Sequence, residues 1–91
     1  MQREELIEKY SELFWYFDKS KLSEISDRVL VEFILNYGHM QAVHDLLDCL
    51  GINSVAKIFA TAISTKRDNF QPQVKNYFSL LFKKHEPQYF I

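Results

Sequence analysis

The sequence predicts an all-α fold, a compact bundle of about five helices around a buried central helix at about residues 25–37. Three observations predict it. Apolar residues recur at helical spacing along most of the 91-residue chain, and no stretch alternates with the period of two that marks a half-buried strand. Only 2 Gly and 2 Pro are present, too few for the many turns of a sheet protein. The segment from Arg28 to Tyr37 is polar only at Arg28, Glu32 and Asn36, which stand four apart and make one thin stripe on a helix. A helix apolar over the rest of its surface is enclosed by neighbours.

The length corresponds to a single helical domain, residues 1–91, with a short apolar tail at 85–91. A chain this short buries only about 60–65% of its unfolded surface, so its core is small and has little room for an internal ligand. Aromatic residues make up 15% of it, 8 of them Phe, and supply large buried area per side chain.

Taken in order, the first helix is expected from about Glu4 to Phe17. Leu6, Ile7, Tyr10, Leu13, Phe14 and Phe17 form its inward face, and Glu4 and Glu5 favour the positive end of its dipole. Trp15 and Tyr16 fall partly off that face. They either fold over onto a neighbouring helix or form part of a contact surface. Asp18 to Lys21 reads as a polar turn, and Ser23 or Ser26 is placed to cap the central helix. Gly38 ends that helix, as a residue that tolerates a left-handed conformation. The third helix spans about Met40 to Leu50, with Met40, Val43, Leu46, Leu47 and Leu50 inward and Gln41, His44, Asp45 and Asp48 outward. Gly51 ends it in the same way. Asn53 is expected to cap a fourth helix, with Val55, Ile58, Phe59, Ala62 and Ile63 inward. Ser64 to Asn69 is a polar loop. Gln71 and Pro72 open the fifth helix, since proline at the first helical position loses no needed N–H. Its inward face is Val74, Tyr77, Phe78, Leu81 and Phe82; Lys83 and Lys84 suit its C-terminal end, and Pro87 stops it. The apolar tail Gln88 to Ile91 either docks on the domain's own core edge or engages a partner or a second copy.

The formal net charge is −1, unevenly spread. Residues 1–50 hold ten acids and five bases, and residues 51–91 two acids and six bases. This describes either two differently charged solvated faces or a basic patch for an acidic partner. The single Cys49 permits no internal disulfide and suits a reducing compartment. The N-terminus is polar and acidic, unlike a signal peptide, and no apolar run reaches the roughly 20 residues that span a bilayer. A cytoplasmic protein without a membrane anchor is the expectation.

Little in the residues suggests catalysis. His39, His44 and His85 include no pair four apart, so no zinc site is expected. His44 and Asp48 are one turn apart, a spacing more typical of a surface pair than of a catalytic one. Cys49 reads as a small, half-buried hydrophobe rather than a nucleophile. The two glycines build no phosphate loop. Helical ribonuclease toxins resembling HEPN proteins place a histidine four to six residues after an arginine, and Arg3, Arg28 and Arg67 have none there. The chain is therefore expected to be no enzyme and to need no cofactor. The third and fourth helices, joined at Gly51, also fit a helix-turn-helix, with Lys57, Lys66 and Arg67 on or after the reading helix. That helix has few polar groups for base edges, so a hairpin packed into the core is the preferred reading.

Several short motifs taken together have a familiar order: Leu13-Phe14-Trp15, Asn36-Tyr37-Gly38, Leu46-Leu47 with Gly51, and Phe70-Gln71-Pro72 before Asn76-Tyr77-Phe78. Residues 13–82 resemble a small family of prokaryotic helical proteins encoded beside AbiEii-type nucleotidyltransferase toxins. The chain departs from that family by having Gln71 where a serine usually precedes the proline, Phe78 where a tryptophan is frequent, and His39 where an acid often follows the glycine. The resemblance implies an antitoxin-like role, in which the chain binds and neutralises a nucleotidyltransferase partner. It offers no functional residues to carry over. Binding of that kind uses aromatic and apolar anchors rimmed by charge. The candidates are Trp15, Tyr16, Tyr89 and Phe90 as anchors, and Lys57, Lys66, Arg67, Lys83 and Lys84 for an acidic or nucleotide-bearing cleft. A self-associating helical module, such as a homodimer, and a helix-turn-helix-like DNA-binding regulator are the alternatives.

Overall fold

Among the described residues, five α-helices carry the fold: α1 (Arg3–Lys9), α2 (Asp27–Tyr37), α3 (Met40–Leu50), α4 (Ile52–Ile63) and α5 (Pro72–His85). Three 3₁₀ turns, Ser11–Phe14, Lys19–Glu24 and Pro87–Tyr89, complete it. The computed structural model describes residues 2–14, 17–65 and 69–90, and among these no strand occurs.

The first helix stops at Lys9 rather than near Phe17, because Tyr10 and Phe14 must reach different neighbours. Tyr10 leaves the helical region at φ −113° and ψ 27°. Its buried ring lets its hydroxyl donate to Asp45 of α3. Phe14, also buried, stacks on Phe33 of α2 with centroids 5.7 Å apart. A straight fourteen-residue helix would run on for roughly 21 Å and could not turn from one to the other. The backbone tightens instead: Leu13 N–H donates to the Tyr10 carbonyl and Phe17 N–H to the Phe14 carbonyl, both at 2.9 Å.

The expected polar turn after Asp18 is itself 3₁₀-helical. Asp18 Oδ1 accepts from Ser20 N–H at 3.0 Å and from Ser20 Oγ at 2.9 Å. Ser26 caps α2, accepting from Val29 N–H at 3.2 Å. α2 buries Leu30, Val31, Ile34 and Leu35. It is not enclosed all round, because Arg28 and Tyr37 are exposed and Glu32 and Asn36 are half-buried. Asn36 tethers the start of α5: its Nδ2 donates to the Asn69 carbonyl at 3.0 Å, and its Oδ1 accepts from Gln71 N–H at 3.1 Å.

The two glycines act for different reasons. Gly38 is extended, at φ −80° and ψ 153°, so the left-handed conformation is not what it supplies. It supplies space, since a Cβ there would lie 2.7 Å from the Ile34 carbonyl oxygen and 3.0 Å from the Ala42 Cβ. Gly51 has open space around it but sits at φ 86° and ψ 141°, a region that belongs essentially to glycine.

α4 proves to be a second centre. It packs against α2, α3, α5 and the Pro87–Tyr89 turn. Its Phe59 is fully buried and meets the rings of Phe70 (5.0 Å), Phe82 (5.4 Å), Phe90 (6.3 Å) and Phe78 (6.4 Å). Asn53 does not cap this helix, which starts without a side-chain cap at Gly51. Its Oδ1 accepts from the Tyr89 hydroxyl at 2.6 Å instead. α5 opens with Pro72 in its first turn and Gln71 as cap residue, and it ends with Lys83, Lys84 and His85.

Candidate partner-binding surface

Of the nine expected contact residues, Trp15, Tyr16, Lys66 and Arg67 lie outside the described residues. Tyr89 and Phe90 are half-buried on the edge of the domain's own core, through Asn53 and Phe59. The tail is thus a docked segment, with only part of these two rings left for a partner. Lys57 is exposed on α4. It lines an opening of about 400 Å³ with Asp27, Arg28, Ser54, Ile58 and Thr61. Lys83 and Lys84 are exposed in the last turn of α5, and neither pairs with an acid among the described residues.

The exposed apolar surface lies elsewhere. Met40 is 52% exposed, Tyr77 50% and Leu80 64%. Met40 and Tyr77 flank a groove of about 310 Å³ between α3 and α5, further walled by Leu35, Val43, Val74 and Phe78. Gly38 stands at this groove, where the close approach of α2 to α3 needs a residue without a Cβ. On α5, Gln73, Tyr77, Leu80 and Lys84 share one helical stripe, since they are spaced four, three and four residues apart. This stripe faces away from the buried Phe78 and Phe82.

Helical periodicity placed Met40 and Tyr77 inward, and both come out half exposed. α5 anchors on α4 through Phe78 and Phe82, and this leaves the Tyr77 flank beside α3 without a covering element among the described residues. Leu80 carried a legible signal: it is apolar at an angle outside the inward face of its helix.

A third opening, of about 630 Å³, runs along the polar stripe of α2, with Arg28 and Glu32 against Phe17, Phe33 and Tyr37. Phe17 and Asn69, both on its lining, adjoin the residues outside the description.

Asp45, expected on the outward face of α3, forms the main polar contact with α1. It accepts from Lys9 Nζ at 2.9 Å, from the Tyr10 hydroxyl and from Gln41 Nε2 at 3.1 Å. The Lys9 and Tyr10 bonds, in that order, hold its carboxyl down at about 2. Because the folded value lies below the ordinary one, this contribution is complete above the unfolded pKa near 4 and is lost as the pH falls toward 2. Asp45→Asn is therefore expected to flatten the loss of stability between about pH 5 and pH 2, while lowering the urea midpoint at pH 7. Urea titrations of both proteins at pH 7 and pH 3 check this. An equal fall with acid in the two would show that Asp45 does not stabilise the docking of α1.

The remaining chemistry is sparse. Burial pushes the half-buried Cys49 thiol upward, which lowers its thiolate fraction. Among the described residues, no three His, Cys, Asp or Glu side chains gather as a metal set. No described helix is long and apolar enough to cross a membrane. α3 and α4 bend by 106° at Gly51, within the range of helix-turn-helix units, although a single residue replaces the usual three- or four-residue turn. The exposed positions of α4 include Asn53, Ser54, Lys57 and Thr61, with one cation among them.

No protein-family model, curated protein or solved structure matches the chain.

Proposed function

We propose that this chain is a non-enzymatic protein-binding module, antitoxin-like, which neutralises a nucleotidyltransferase-type toxin by direct contact in the cytoplasm. The observation that supports a binding role is the exposed apolar face formed by Met40, Tyr77 and Leu80 around the α3–α5 groove. Large apolar side chains grouped on a small domain and rimmed by polar residues are a recurring feature of protein contacts. The class of partner rests on the resemblance of residues 13–82 to proteins encoded beside such toxins.

The test is recovery of partners with the full chain as bait in the cells that encode it. A nucleotidyltransferase at near-stoichiometric amounts is expected. Tyr77→Asp and Leu80→Asp are expected to cut that recovery about tenfold or more, because an acid in the centre of an apolar contact costs upwards of about 1.4 kcal/mol. Both positions are exposed, so the thermal melts of these variants should match the parent. Recovery of the chain alone would point to a self-associating module.

The 106° bend at Gly51 favours a second reading, a DNA-binding regulator that uses α4. Binding to duplex DNA that weakens steeply with salt and is lost in Lys57→Ala would support it.

A further inference from the structure

We infer that His39 is a proton-sensitive latch on the start of α3: neutral, it holds the first turn closed, and protonated, it releases that turn. His39 occupies the N-cap position of α3, and its Nδ1 accepts from Ala42 N–H at 3.3 Å. Only a neutral imidazole with its hydrogen on Nε2 can do this, because Nδ1 must offer a lone pair. The first backbone bond of the helix runs from Val43 N–H to the His39 carbonyl at 3.2 Å, one residue beyond Ala42, so Ala42 N–H depends on the side chain. Ala42 is fully buried, and water does not reach it while the turn is closed. A proton on Nδ1 sets two donors face to face and places a cation at the positive end of the helix dipole. The buried N–H then finds an acceptor only if the turn opens to solvent. The imidazole belongs to an exposed residue, so the proton enters from bulk water.

The groups around His39 do little to offset this release. The Tyr10 ring stands edge-on to the imidazole, with centroids 5.9 Å apart. Its hydroxyl donates to Asp45, which also accepts from Lys9 Nζ at 2.9 Å, so the carboxylate on this side is already matched by a cation. The end of α2 contributes Tyr37, and α5, across the groove, contributes Gln73 and Tyr77, none of them charged. Met40 and Val43 belong to the latched turn and line the α3–α5 groove, so opening the turn unfastens one wall of it. The latch holds this wall whether or not a partner occupies the groove.

The test is amide hydrogen exchange of the ¹⁵N-labelled full chain at about pH 7.5 and about pH 5.5, on either side of the ordinary histidine range at about 6.5. Asp45 stays ionised at both, since its carboxyl is held down at about 2. The protection factor of the Ala42 amide is expected to fall about threefold to thirtyfold on acidification, the range that loss of an N-cap gives. Leu46, later in the same helix, should keep its protection, which marks the opening as local to the first turn. His39→Asn retains an uncharged cap acceptor, and its Ala42 protection should stay within about twofold across the same range. His39→Ala should show the low value at both. His44 and His85 are present in all three proteins, so their titration does not separate parent from variants. No fall in the parent, or an equal fall in the parent and His39→Asn, overturns the inference. So does full Ala42 protection in His39→Ala at the higher pH, which would mean that the side chain holds nothing.

Discussion

Phe59→Ala is expected to remove a large share of the stability of this domain. Phe59 is fully buried on α4 and touches four other phenylalanine rings, from the loop before α5, from α5 itself and from the tail. Truncation loses the transfer energy of the ring and leaves a cavity that these neighbours cannot close without moving their helices, a cost of about 3–5 kcal/mol. Small domains are stable by only about 5–15 kcal/mol, so roughly a fifth or more of the total is at stake. At about 4–8 °C per kcal/mol, the melting temperature should fall by at least about 12 °C. The tail should loosen with the core, because Phe90 packs on the ring that is removed. Thermal denaturation, followed by near-ultraviolet circular dichroism, measures both effects. A fall of only a few degrees would mean that Phe59 is not the centre of the packing.

Gly38→Ala is expected to cost about 1–3 kcal/mol, as overpacking does. The added methyl would meet the Ile34 carbonyl at 2.7 Å, and that oxygen is backbone, already accepting from Gly38 N–H at 2.9 Å. Relief requires the end of α2 to shift off its own Ile34 carbonyl, and α3 to back away as well, because the Ala42 Cβ would stand 3.0 Å from the same methyl. Gly51→Ala is expected to cost a similar amount, about 1–3 kcal/mol, for the opposite reason: space is open, but φ 86° strains any L side chain. A size series separates the two. Stability should keep falling from Ala to Val at Gly38, where volume decides. It should change little between Ala and Leu at Gly51, where the conformation decides once a Cβ is present. Urea midpoints of the four variants provide the check. A flat series at Gly38 would show that the helix junction accommodates volume.

Gly51 also shows how a correct boundary can be reached on an incomplete argument. Both glycines mark helix ends at the positions their sequence context implied. Only Gly51 carries the positive φ that this argument assumed, and its ψ of 141° lies outside the left-handed helical region. Gly38 is there because Ile34 and Ala42 crowd it, and Ala42 comes from the next helix. No local rule reports that contact.

The same division runs through the surface. The acid–base asymmetry between the two halves was legible as composition, and Lys83 and Lys84 were placed correctly at a helix end. That Tyr89 and Phe90 dock on the core was one of two open alternatives for an apolar tail; the hydroxyl bond to Asn53 and the Phe59 ring decide it. Met40 and Tyr77 could not be recognised as surface from periodicity, since both lie on the edge of an apolar arc, where exposure depends on the neighbour alongside.

The residues alone determined the all-α class, the spans of α3 and α5, the Ser26 cap as one of two options, and α2 as a core helix. Apolar spacing, capping side chains and proline placement act within one or two turns, so they can be read along the chain. Tertiary structure decided the break at Tyr10, the centrality of α4 and the open groove between α3 and α5. Each of these depends on which partner lies opposite: Asp45 for Tyr10, a ring of phenylalanines for Phe59, and no described element for Tyr77. Contacts between residues far apart in sequence carry that information, and their geometry exists only once the helices have packed.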